Sequence, residues 1–98
     1  MALRRRLRLL PAAVLDLEGI REYSAKRWGE VQASLYLDLV LAALDGLADG
    51  SRIGVRSDVR PHLLRANVRS HTIFYRQSDT SVDIVRVLHQ SMDVRRRL

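Results

Sequence analysis

Three strand-like runs in the second half of the chain constrain its fold more than any other feature. The runs are LLRANVR at 63–69, TIFYRQ at 72–77 and VDIVRVL at 82–88. The links between them, at 70–71 and 78–81, are short enough for hairpins. The second half of the chain is therefore predicted to form an antiparallel meander of three strands.

The last of these runs carries apolar residues on both of its faces. Val82, Ile84 and, less clearly, Arg86 alternate with Asp83, Val85 and Val87, so neither side is purely polar near the middle. Strands that are covered on both sides have this composition. We expect this run to be a central strand of the sheet.

The first half of the chain begins with a short strand pattern and continues as a helix. Residues 3–10, LRRRLRLL, approach period-two alternation, which predicts an edge strand with its arginines facing outward. Pro11 fits the first turn of a helix, because its missing N–H would be unsatisfied there anyway. The helix is predicted from about Pro11 to Arg27 and ends before Gly29. The sequence-predicted apolar stripe of this helix consists of Val14, Leu17, Ile20 and Tyr23.

A second helix is predicted from about Glu30 to Ala48, and most of its circumference is apolar. One face carries Val31, Leu35, Leu39, Ala42 and Gly46, and further apolar residues lie outside it at Tyr36, Leu37, Val40, Leu41 and Leu44. This pattern indicates burial on two sides, one against the sheet and one against the first helix or a partner. The short connection predicts a helical hairpin.

The resulting order, β-α-α-β-β-β, predicts an α+β fold in which a small, mainly antiparallel sheet packs against a helical hairpin. The 98 residues are enough for one domain, spanning residues 1–98. The chain has no cysteine, which excludes disulfides and thiolate metal sites and fits a reducing cytoplasm. Arg8 and Pro11 interrupt the apolar start, so a signal peptide is not expected. Residues 35–48 contain two aspartates and are judged too short to span a bilayer, which predicts a soluble protein.

The net charge of +6 is concentrated in the second half, where residues 51–98 hold ten arginines and four aspartates. Such a balance favours an anionic partner: a nucleic acid, a nucleic-acid machine or an acidic protein. The simpler alternative is arginine-rich usage that serves solubility. The arginines that share a sheet face would form a cationic patch for phosphates, and otherwise a solvated face. We predict a basic sheet surface from Arg60, Arg65, Arg69 and Arg76.

Catalytic and metal-binding motifs are absent from the sequence. There is no glycine-rich phosphate loop, no GxSxG and no HExxH, and His62, His71 and His89 are far apart along the chain. No catalytic set, metal or cofactor is therefore predicted. His89 ends the last strand, where it either acts as an acid or base or, more commonly, orders a chain end. Asp93 is a candidate N-cap for a short final turn, and Met92 is a candidate to pack back onto the sheet.

Four stretches of the sequence resemble one known family. RVLHQSMDVRRRL, at 86–98, resembles the closing signature of the ParE toxins, often seen as R-[VI]-L-H-x-x-M-D. RLRLLPAAVLDLEGIREYSAKRWG, at 6–29, is similar to the first strand and helix of that family, and 36–48 to its second helix. RSHTIFYR, at 69–76, is similar to its SH-x-[IVL]-F-Y-R strand. Leu10 departs from the family, which often has Ser before this proline, so a good N-cap is missing.

The resemblance implies the toxin of a type II toxin–antitoxin system. ParE toxins poison DNA gyrase by stabilising its cleaved-DNA intermediate, and a ParD-type antitoxin neutralises them in a hetero-oligomer. No cofactor and no direct sequence-specific DNA binding are implied. The over-apolar second helix then suggests an antitoxin groove, for which the sequence-predicted residues are Leu37, Val40, Leu41 and Leu44.

The same resemblance suggests a role for the C-terminal end. The predicted toxicity surface consists of Arg86, His89, Met92 and Asp93. Two alternatives remain open at the level of sequence. One is a ribosome-dependent mRNA endonuclease of the RelE kind, for which Arg65, Arg76 and His89 would be the nominal catalytic residues. The other is a decayed toxin that only binds its antitoxin.

Overall fold

The computed structural model describes residues 4–98. The first strand, β1, is Arg6–Leu9; residue 3, with which the predicted strand began, lies outside the described residues. The helices are α1 (Pro11–Trp28), α2 (Glu30–Asp49) and α3 (Val94–Arg97), and the remaining strands are β2 (Val55–Arg56), β3 (Leu64–Val68), β4 (His71–Gln77) and β5 (Ser81–His89).

The sheet has the strand order β1-β5-β4-β3-β2. Strands β3, β4 and β5 form the predicted antiparallel meander. Strand β1 lies at one edge and pairs with β5 in parallel, so β5 is an interior strand as predicted. The opposite edge is the two-residue β2, which was not predicted. The α+β fold, with a mainly antiparallel sheet against a helical hairpin, is confirmed.

Both helices of the hairpin begin and end close to the predicted residues. Helix α1 starts at Pro11, and Leu10 in the N-cap position makes no side-chain cap bond, as its apolar side chain requires. Gly29 follows α1 with φ 92° and donates its N–H to the carbonyl of Ala25. This positive φ is accessible to glycine at little energetic cost, so the chain turns here into α2.

The main hydrophobic core fills the space between the hairpin and one face of the sheet, which we call the helix-covered face. The core residues, from both helices and from β3, β4 and β5, are Ala13, Leu17, Ile20, Val40, Ala43, Leu44, Leu47, Ala66, Val68, Ile73, Tyr75, Val82, Ile84 and Val87. The predicted stripe of α1 was wrong in part, because Tyr23 is 60% exposed and Val14 is also exposed. Ala13 and Ser24 are buried instead, beside Leu17 and Ile20.

The other side of the sheet, which we call the open face, carries a much smaller cluster. Leu63, Phe74 and Leu88 are buried there. The C-terminal segment folds back over them, because Val94 and Leu98 pack against this cluster. The tail therefore covers part of a face that the helices leave uncovered.

A β-bulge interrupts the pairing of β4 with β5. Tyr75 pairs with Ile84 and Phe74 pairs with Arg86, so Val85 is an extra residue on β5. The predicted alternation of β5 fails at this point. Beyond the bulge it is Val87, rather than Arg86, that continues the buried row on the helix-covered face.

Helix α2 is the one segment within residues 4–98 that is long and apolar enough to cross a membrane by length and composition. With 20 residues, the helix is longer than residues 35–48, the stretch that is judged too short from the sequence. Its Val40, Leu44 and Leu47 nevertheless belong to the core against the sheet. Packing of this kind is typical of the central helix of a soluble protein.

Candidate functional site

The C-terminal end of β5 is held by a local set of hydrogen bonds around His89. Its Nδ1 lies 2.7 Å from the hydroxyl of Ser91 and accepts the Ser91 N–H at 3.0 Å. The N–H of Met92 donates to the His89 carbonyl at 3.0 Å. The imidazole thus orders the turn after the strand, which is the structural role considered for a lone histidine.

Met92 and Asp93 lie on the surface beyond this turn. The predicted packing of Met92 onto the sheet is wrong, because its side chain is exposed. Asp93 occupies the N-cap position of α3 but makes no side-chain cap bond, so the predicted cap is also wrong. Its carboxylate lies 3.5 Å from Nε of Arg96 instead. Both side chains are accessible to a partner.

Arg86 differs from the other predicted toxicity residues because it is tied into the fold. Its Nε and Nη2 donate to the two carboxylate oxygens of Asp16 at 2.7 and 2.8 Å. The same carboxylate accepts the Val87 N–H at 2.9 Å, and Arg86 Nη1 donates to the carbonyl of Arg97 at 3.0 Å. The hydrogen bonds with Asp16 raise the pKa of Arg86. This pair joins α1, β5 and the tail. No pattern in the sequence indicates Asp16 as the partner of Arg86, because the two residues lie 70 positions apart.

Two of the three histidines meet, although they are far apart in sequence. His71 and His89 are register partners on β4 and β5, and their rings meet edge to face with centroids 5.1 Å apart. The Tyr36 hydroxyl of α2 lies 2.6 Å from Nδ1 of His71 and 3.2 Å from the hydroxyl of Ser70. Burial, and then the charge of His89, lower the pKa of His71 to about 4. Within residues 4–98, no group of three potential metal ligands occurs.

The predicted basic sheet surface is only partly assembled. Arg65 and Arg76 share the open face with Phe74, because Arg65 is its register partner and Arg76 follows it by two residues. Arg60 lies nearby, at the same cleft as Arg76. Arg69 is separate: it occupies the turn between β3 and β4 with φ 53° and lies beside α2. The surface therefore consists of Arg60, Arg65 and Arg76.

The predicted antitoxin groove was wrong in two of its four residues. Val40 and Leu44 are buried in the core, Leu37 is half-buried, and only Leu41 is exposed. The accessible apolar residues of α2 form a different row, which we call the α2 stripe.

The α2 stripe consists of Val31, Leu35 and Leu39, which are 74%, 54% and 43% exposed and are spaced by four residues. The packed side of α2 includes Ala33 and Ala43, both buried. These small side chains allow close approach, and this signal in the sequence could have distinguished the two sides.

The loop between α2 and β3 is anchored to the sheet. The N–H of Gly54 donates to the hydroxyl of the buried Tyr75 at 2.9 Å, and burial raises the pKa of this tyrosine. A Cβ at position 54 would meet that hydroxyl and would lie 2.6 Å from the carbonyl of Arg65. The hydroxyl of Ser57 accepts the N–H groups of Val59 and Arg60. These contacts hold Arg60 beside the open face.

Two proteins named Toxin ParE1 are similar to this chain in sequence over almost its whole length. The chain is 45% identical to Toxin ParE1 of Mycobacterium tuberculosis over 92 residues, which cover 92% of this chain and 94% of that protein. It is 38% identical to Toxin ParE1 of Caulobacter vibrioides, with 93% and 95% covered.

Two solved structures share the fold. One comes from the chromosomal ParDE toxin–antitoxin system of P. aeruginosa, with a TM-score of 0.77, 15% identity, and 88% of this chain and 96% of that chain covered. The other comes from the toxin–antitoxin complex RelBE2 of M. tuberculosis, with a TM-score of 0.66, 20% identity, and 94% and 98% covered. At these identities the likeness concerns the fold alone.

The family model described as "ParE toxin of type II toxin-antitoxin system, parDE" matches residues 7–94. The match includes the first strand from Leu7 onward, the helical hairpin, the whole meander and the cluster from His89 to Asp93. The chain therefore belongs to the family of ParE toxins of type II toxin–antitoxin systems.

Proposed function

We propose that this toxin inhibits DNA gyrase in the cytoplasm by stabilising its cleaved-DNA complex, and that it performs no chemistry itself. The observation that carries this proposal is the separation of the nominal endonuclease residues. Arg65 and Arg76 lie on the open face, whereas His89 meets His71, whose other neighbour is Tyr36 of the helical hairpin. An acid, a base and a cation that act on one phosphate have to converge on it. These three side chains do not.

The test uses purified toxin with gyrase, supercoiled plasmid and ATP, and measures linear DNA after treatment with detergent and protease. A parallel reaction contains ribosomes and mRNA. We expect linear DNA in the first reaction and intact mRNA in the second. Ribosome-dependent cuts without linear DNA would contradict the proposal and establish an endonuclease. No product in either reaction would favour a decayed toxin.

We further propose that a ParD-like antitoxin binds the α2 stripe in a hetero-oligomer. Three large apolar side chains spaced by four residues form the kind of row that receives an amphipathic helix. An exposed apolar patch of this kind on a soluble chain commonly marks an interaction site. The names of both solved relatives describe toxin–antitoxin assemblies.

Two substitutions separate the surfaces that these proposals assign. Leu35→Asp in the α2 stripe is expected to abolish neutralisation by the antitoxin and to leave gyrase inhibition intact. Met92→Asp at the C-terminal surface is expected to abolish gyrase inhibition and to leave antitoxin binding intact. Both side chains are exposed, so neither change disturbs the core. If Leu35→Asp leaves antitoxin affinity unchanged in a folded protein, the docking assignment is wrong. If Met92→Asp leaves gyrase inhibition unchanged, the C-terminal surface is not the target surface.

A further inference from the structure

A cleft of about 440 Å³ opens on the sheet side away from the helical core. It lies between the start of α1, the segment before β3, the bulge of β5 and the C-terminal tail. Its apolar floor includes Leu63, Val85 and Leu98, and Arg60, Arg76 and Arg97 stand around it. Its volume lies within the range of small-ligand sites, roughly 300–1,000 Å³.

The charge around this cleft is positive and largely uncompensated. Among residues 4–98, none that lines it is Asp or Glu. The carboxylate nearest to Arg76 is that of Asp83, at 4.0 Å, and Arg8 shares it at 3.7 Å. Arg60 donates only to the carbonyls of Val59 and Arg95, which do not neutralise it.

Arg97 makes no ion pair within the described part of the chain. Arg86 also lines the cleft but is already neutralised by Asp16. The guanidinium groups of Arg60, Arg76 and Arg97 are thus available to an anion. That of Arg86 forms part of the wall of the cleft.

We propose that this cleft binds one nucleotide of an unpaired nucleic-acid strand. Guanidinium groups match phosphate oxygens in geometry and charge, so the arginine rim would hold the phosphate. The apolar floor would receive the flat base, with the imidazole of His62 as a neighbouring stacking surface. A ligand of this kind satisfies the rim and the floor together.

The shape of the cleft favours an unpaired strand over other anions. The bases of a duplex are stacked in its interior and cannot reach the floor. The carboxylate of an acidic peptide would occupy the rim but leave most of the volume empty. The inference does not depend on the proposed target, because binding is measured without gyrase.

The experiment measures fluorescence anisotropy of a short labelled single-stranded oligonucleotide with the full chain at several salt concentrations. The double variant Arg76→Gln with Arg97→Gln is expected to bind about tenfold or more weakly. Its plot of log affinity against log salt should become shallower by about 0.7 for each phosphate contact removed. The control is Arg69→Gln, which removes one positive charge at the distant β3–β4 turn and should leave affinity nearly unchanged.

Three probes test the ligand class. An abasic oligonucleotide should bind more weakly than the normal strand, and so should a duplex and an acidic peptide of similar charge. Equal loss of affinity in the Arg69→Gln control would reduce the effect to general attraction by a basic protein. Equal affinity for the abasic and the normal strand would show that the apolar floor does not bind the base, and would contradict the nucleotide assignment. Preference for the acidic peptide or the duplex would overturn the nucleotide assignment.

Discussion

The two faces of the sheet differ in how much of their surface is buried and in their charge. On the helix-covered face, Ile73, Val82 and Ile84 are completely buried beneath two long helices. On the open face, a cluster of three buried residues lies beneath the short C-terminal segment, with arginines around it. We infer that the first face supplies most of the folding energy, whereas the second is free to bind. Substitutions on the two faces should therefore have effects of different size.

The largest effect is expected from Ile73→Ala on the helix-covered face. The substitution leaves a cavity in a closed core and should lower the free energy of unfolding by about 3–4 kcal/mol. Ile53→Ala is the matched control, because this isoleucine is 87% exposed and should tolerate the change. Urea denaturation measures both. Equal effects of the two substitutions would contradict the assignment of the core to this face.

The next effect concerns the ion pair that connects the two sides. Asp16→Asn removes the charge opposite Arg86, whose side chain is only 21% exposed, and leaves a guanidinium short of its partner. We expect a loss of about 2–3 kcal/mol, below that of a fully buried pair. Glu18→Gln makes a similar change on the exposed side of α1 and serves as the control. Thermal unfolding that is the same for both variants would show that the pair does not stabilise the fold.

A smaller effect should appear as a pH dependence at the edge of the helix-covered face. The pKa of His71 is lowered from 6.5 to about 4, with Tyr36, His89 and Asp16 around it. The unfolded state therefore binds more protons between these values, and stability falls as the pH decreases from 6.5 to 4. Screening at this half-buried site limits the loss to about 1–2 kcal/mol.

Denaturation curves at several pH values measure this dependence, and His71→Gln is the comparison. Its glutamine does not titrate, so the part of the slope that belongs to His71 should disappear. A slope identical in the two proteins would assign the dependence to other groups.

The smallest effect is expected from Leu98→Ala on the open face. The side chain packs on the edge of a small cluster and is half-buried, so the loss should be about 1 kcal/mol or less. A loss as large as that of Ile73→Ala would place the tail within the core and remove the contrast between the faces. Chemical denaturation beside the Ile73→Ala variant makes the comparison direct.

Local patterns were sufficient to predict the helical hairpin and the meander. The start at Pro11, the break at Gly29 and the short links all act between near neighbours in sequence, so they can be recognised without the fold. Apolar character alone does not separate the α2 stripe from the buried side, because both sides are apolar, and only the small size of Ala33 and Ala43 marks the packed side. The Asp16–Arg86 pair depends on how α1 lies across β5, and nothing near either residue indicates it.

The candidate site was predicted less well than the fold for a similar reason. To predict which arginines form one basic surface, one must know on which face of the sheet each side chain lies, and this depends on the strand register. Arg65 and Arg76 share a face, but Arg69 lies in a turn with positive φ and belongs to another part of the surface. The meeting of His71 with His89 likewise follows from strand pairing alone.

The extra residue in β5 has a consequence for anyone who redesigns the C-terminus. Val85 reverses the alternation of faces along β5: each residue after it points to the opposite side of the sheet from the one that regular alternation from Val82 would predict. Deleting it would remove the bulge and would leave Val87 inward and Leu88 outward, opposite Ile73 and Thr72 as before. Straightening the strand with Val85 retained would instead turn Val87 outward and Leu88 inward, exchanging the environments of the whole closing signature. Homologous tails grafted onto this chain should therefore be aligned from Val85 rather than from the beginning of the strand.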